Sequence, residues 1–185
     1  MAVLYGIRQI RWTPLLDGGG EDASATPIDS TNIQSMDITP IYADGNEAIQ
    51  RGGDDIVAIV KEEDKYLGCD LTLALAQFEG QLKAAIVGGT STDDDQWSAP
   101  VDDTEMPYPG RLQVWVANYT ESDSESTQDG FILYTFNYCI GRLGTSNPAD
   151  RAFTNEQFTI RARRNDSDPS DIGAAVEMEV VESIT

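Results

Sequence analysis

From Cys69 to Leu75 the chain changes polarity at almost every step: Cys69, Leu71, Leu73 and Leu75 point one way, and Asp70, Thr72 and Ala74 the other. A period of two is the mark of a strand that buries one face. The rhythm returns in residues 111–117, with Leu112, Val114 and Val116 on one face and Trp115 on the other. It returns again in 157–164, with Phe158, Ile160 and Ala162 inward, and in 174–184, where Val176, Met178 and Val180 alternate with Glu177 and Glu179. Shorter apolar runs at 6–12, 28–43, 55–61 and 131–140 bring the expectation to about eight or nine strands. Proline at position 40 and the Asp44-Gly45-Asn46 turn divide or bend the run from Ile28 to Ala43.

One segment changes period. Phe78, Leu82, Ala85 and Ile86 fall on one face of a helix from Phe78 to Val87, which Gly88-Gly89 would stop. Two hairpins are expected, one joining 55–61 to 66–75 and one joining 111–117 to 131–140. The second would carry a polar tip over 120–129, whose acids Glu121, Asp123, Glu125 and Asp129 discourage edge-to-edge association. Pro14, Gly18-Gly19-Gly20 and Pro27 make 13–27 a loop. Residues 88–109, rich in Thr, Ser, Asp and Pro, form a longer one. The expected fold is mainly β (α+β): a single domain over 1–185, an antiparallel β-sandwich or split barrel with one flanking helix and mobile loops at 13–27 and 88–109.

Charge narrows the function. The 185 residues carry 32 Asp and Glu against 12 Lys and Arg, a net charge of −20, so the surface repels phosphate backbones. The absence of histidine removes Ser-His-Asp, Cys-His and HExxH chemistry and most zinc sites. No GxGxxG, GxxxxGK[ST] or GxSxG motif is present. Acids this abundant leave a glycosidase carboxylate pair without a sequence signature. Asp44-Gly45-Asn46 and Asp93-Asp94-Asp95 miss the calcium-loop spacing and read as a turn and a solvated loop.

Tyr134, Phe136 and Tyr138 alternate along one strand, but a base-stacking platform works beside a positive groove, so they read as one face of a core or interface. The one basic cluster, Arg161-Ala162-Arg163-Arg164, points to intramolecular or inter-subunit pairing. Cys69 and Cys139 read as reduced, buried thiols made in a cytosol, with a bridge between them as the alternative. Neither an export signal nor a membrane span is expected. The sequons at Asn118 and Asn165 lose their context accordingly.

The order of these segments resembles the major tail proteins, or tail tube proteins, of long non-contractile-tailed double-stranded DNA bacteriophages. The resemblance is carried by Leu4-Tyr5-Gly6-Ile7-Arg8, by Tyr42-Ala43-Asp44-Gly45, by Leu67-Gly68-Cys69-Asp70-Leu71-Thr72-Leu73 leading into the helix, by Asp129-Gly130, and by Phe158-Thr159-Ile160-Arg161-Ala162. It implies a structural virion protein, not an enzyme, with no catalytic, cofactor or metal residues. Six copies would form a ring whose inner sheets join around a channel, and rings would stack into a tube that double-stranded DNA passes without being held.

Further partners implied are the tape-measure, tail-terminator and tail-tip proteins. The implied location is the phage tail, assembled in the host cytoplasm, with no membrane and no added immunoglobulin-like decoration domain. Six copies at −20 each give −120 per ring, a charge that would repel DNA. The loop 88–109 would reach a neighbouring ring, with Trp97 and Tyr108 as aromatic anchors. Asp93, Asp94, Asp95, Arg161 and Arg163 are the charged contact candidates, and 13–27 could order on assembly. The alternatives are a tail-terminator or head–tail joining ring, and a carbohydrate-binding β-sandwich in which Trp12, Trp97 and Trp115 share an exposed face.

Overall fold

The computed structural model describes residues 2–16, 18–52, 55–101, 107–122, 125–145, 155–164 and 175–184. The chain is mainly β. The described residues form ten strands: β1 (Ala2–Pro14), β2 (Ile28–Ser30), β3 (Ile33–Ala43), β4 (Glu47–Gly52), β5 (Asp55–Lys61), β6 (Lys65–Leu75), β7 (Gly110–Ser122), β8 (Glu125–Leu143), β9 (Glu156–Arg163) and β10 (Val176–Val181). One helix, α1 (Gly80–Val87), follows β6. Eight strands form one antiparallel sheet in the order β2-β1-β7-β8-β9-β6-β3, with β10 also paired to β8, and β4 and β5 pair separately.

The 19-residue β8 organises the sheet. One edge of it pairs with β7. Its other edge is divided: Phe131 to Phe136 pair with β10, and Tyr138 to Leu143 pair with β9. The two arms on either side of this division enclose one core, as the sandwich expectation requires. Ile10 and Trp12 of β1, Leu112 and Val114 of β7, Leu71, Leu73 and Leu75 of β6, and Phe158 and Ile160 of β9 are all fully buried there, with Leu82 and Ile86 of α1. Two glycines permit close approaches within the core. A Cβ at Gly110 would collide with the indole of Trp12, and one at Gly141 would collide with Ile86, so the helix sits directly on β8.

The alternation of 157–162 holds residue by residue, and that of 69–75 holds except at Ala74, which is buried like the leucines beside it. Ile28–Ala43 is two strands, and Pro40 falls on β3, an edge strand where a missing N–H is tolerated. The expected loop 13–27 begins later, since Thr13 and Pro14 still pair with β7; among the described residues from Leu15 to Pro27 there is no helix or strand, only an isolated bridge between Leu15 and Glu21, and Arg111 Nη1 donates to Glu21 Oε1 at 2.7 Å. Cys69 and Cys139 are free and buried, each directly opposite Ala162 on either side of it. They stand two strand spacings apart, about 9–10 Å. That exceeds the span a disulfide can bridge.

Four further expectations are corrected. Residues 55–61 do not pair with 66–75, because Glu47–Gly52 is itself a strand and takes β5 as its hairpin partner, while β6 pairs with β3 and β9. The hairpin β4–β5 is thus an excursion from the β3–β6 pair, with Ala43 opposite Lys65 at its base. The polar tip expected over 120–129 is narrower, since Tyr119 to Ser122 pair with Gln128 to Glu125. Backbone pairing needs no apolar side chains when both strands already run side by side. Phe78 lies outside α1 and is exposed. Trp115, on the face opposite Leu112 and Val114, is also covered, at 1% exposure, with the guanidinium of Arg11 5.4 Å from its ring centre.

Candidate assembly surface

The face of α1 turned to the sheet carries an unexpected charge. Lys83 is buried beside Leu82 and Ile86, and its Nζ lies 2.5 Å from Glu156 Oε1 of β9. The ammonium also faces two rings, 4.3 Å from the centre of Trp97 and 5.2 Å from that of Phe78. A cation held this way is compensated by one carboxylate and two π faces. Trp97 donates its indole N–H to the Gly88 carbonyl at 2.9 Å, and Thr90 bridges to Ser98. The first part of the acidic loop is therefore folded back on the helix.

The remaining loop residues are used locally. Asp93 accepts the Asp95 amide through its side chain, and the Asp94 carbonyl accepts the Gly80 amide at the start of α1. The three carboxylates face solvent. Tyr108 is 57% exposed. Asp102, Asp103 and Glu105, also in this loop, lie outside the described residues, as does the second sequon. Arg161 meets Asp70 across the β6–β9 ladder at 3.0 Å, and Arg163 Nη1 donates to the Ala162 carbonyl. Arg161 is held further above its ordinary pKa by that hydrogen bond and charge pairing. The basic pair is thus matched within the chain. The seven contact candidates fall in different places: Trp97 on α1, Tyr108 before β7, and the arginines on β9.

A polar groove of about 690 Å³ runs between β2 and the start of α1, lined by Gln9, Asp29, Asn32, Glu79 and Asp94. Its acids are engaged. Glu79 Oε1 accepts from Ser30 Oγ at 2.8 Å and from Asn32 Nδ2 at 2.6 Å. Asp29 is held below the usual carboxylate range by hydrogen bonding to Arg11. Among the described residues, no group of three or more Cys, Asp or Glu side chains could hold a metal. Nor do the tryptophans share an exposed face, because Trp12 and Trp115 are buried.

The surface that sequence reasoning missed is at β10. Val176, Met178 and Val180 stand opposite Phe136, Tyr134 and Ile132, and so share the face that forms the core. Yet Met178 is 70% exposed and Val180 68%. Their alternation was visible in the sequence, but not their exposure. Among the described residues β10 pairs with β8 alone, and beyond the three residues matched by β2, no strand is hydrogen-bonded to the outer edge of β1 from Ala2 to Gln9. The chain matches no protein-family model, and no curated protein matches it in sequence.

Proposed function

We propose that this chain is a structural virion protein that self-assembles into stacked rings forming a phage tail tube. One observation carries the reading furthest: the core face of the sheet continues onto an edge strand where Met178 and Val180 are uncovered. An open strand edge with an apolar face is a liability in a lone chain and an asset in one that pairs with copies of itself. The family resemblance turns self-association into a six-membered ring. The acid excess then suits a channel wall that lets DNA slide. Negative-stain electron microscopy of the concentrated protein tests this. Tubes of uniform width with a stained channel are expected. Isolated rings would favour the terminator, and particles that stay monomeric at high concentration would count against self-assembly.

A further inference from the structure

Resting on that reading, we infer that the seam between neighbouring subunits is an antiparallel pairing of β10 of one copy with the Ala2–Gln9 edge of β1 of the next, to which no strand is hydrogen-bonded among the described residues, chosen by charge. Topology limits the choice. Along β10-β8-β7-β1 every neighbour is antiparallel, so β10 runs opposite to β1. A copy placed head-to-tail therefore continues the alternation of the sheet, and the Ala2–Gln9 stretch, whose ladder to β7 shifts register between Leu4 and Ile7 and between Ile7 and Gln9, is longer than the six residues of β10. The other long open edge, β3, lies on the β9 side of β8, the same side as β10. Continuing the sheet head-to-tail cannot join two edges of the same side. β3 also carries Pro40, which donates no ladder bond, and the acid Asp37.

Charge separates the remaining options. β10 carries Glu177 and Glu179 and no base, whereas β1 carries Arg8 and Arg11 and no acid. Arg8 is exposed, with its Nη2 on the Tyr119 hydroxyl at 3.0 Å, and both glutamates are exposed. A two-fold β10–β10 pairing would set carboxylates against carboxylates and is opposed, while β10 against β1 sets acids near a base. On the other face, Met178 and Val180 would meet Ile7, which already packs on the core, so the core would run across the seam.

Full-length protein tests this by charge exchange. Glu177→Lys/Glu179→Lys and Arg8→Glu are each purified, checked against the parent by circular-dichroism melting, and scored for tubes by sedimentation and negative stain. The parent should form tubes, and each variant alone should lose about tenfold or more of the pelleted fraction. An equimolar mixture should recover it, because each variant supplies the edge the other now attracts. Should the lysine variant fail to fold, Glu177→Gln/Glu179→Gln replaces it, and a drop in tube yield is again expected. Parent tubes with unaffected variants, or a mixture that stays as poor as its components, would overturn the seam and leave the tube. A parent that never assembles would overturn the tube and the seam together.

Discussion

Lys83 Nζ and Glu156 Oε1 lie 2.5 Å apart beneath the folded-back acidic loop, joining α1 to β9 across the edge of the core. Each half of this pair is costly without the other. Removing one partner from a largely buried ion pair leaves an uncompensated charge, at a cost of about 3 kcal/mol. Glu156→Ala is therefore expected to lower stability by about that amount, and Lys83→Met/Glu156→Leu to recover most of the loss. Urea unfolding of the two variants beside the parent checks it.

Trp97 stacks on the same ammonium and donates to the Gly88 carbonyl. Trp97→Ala should cost about 1–2 kcal/mol and raise amide exchange across residues 90–98, while Trp97→Phe should retain part of the stacking. If Trp97→Ala nonetheless assembles tubes as well as the parent, its role ends at holding the loop, and the inter-ring anchor must lie elsewhere.

Gly141 faces Ile86 and Gly110 faces Trp12 with no room for a Cβ. Alanine at either site must move a helix or a buried indole, and the expected loss is about 3 kcal/mol. Thermal melts of Gly110→Ala and Gly141→Ala should both fall well below the parent.

Burial raises both thiols above their ordinary value of 9.0, and burial together with Cys69 raises the Tyr66 phenol to about 12. Each group keeps its proton longer in the folded chain than in the unfolded one. Their contribution is complete below the unfolded pKa and is lost as the pH rises beyond it. The urea midpoint should therefore drop as the pH rises from about 9 towards about 12, and less steeply in Cys139→Ala. Because Ala162 separates the two cysteines, oxidising conditions should leave both thiols titratable after denaturation.

The faces of individual strands were legible before any fold was known. Leu71, Leu73, Phe158 and Ile160 could be placed inward from their spacing alone, because a pleated strand sends alternate side chains to opposite sides. The helix was legible for the same reason, apart from Phe78, whose side chain joins the Lys83 cluster from outside the helical turn. The candidate contacts were less so. Arg161 was read as a pairing residue and found Asp70, but Trp97 gave no sign of turning back onto a buried lysine.

What the sequence determined by itself was periodicity, hence strand or helix, the apolar face of each, a large acid excess and a complete lack of histidine. Partner choice belonged to the tertiary structure. β5 could pair with β4 or β6 on composition alike, and only the closing of β3 on β6 left β4 as its neighbour. Exposure was decided there too. Met178 and Leu73 obey the same alternation, yet one is open and the other sealed, because burial depends on whether a distant part of the chain reaches across, and no local pattern encodes that distance.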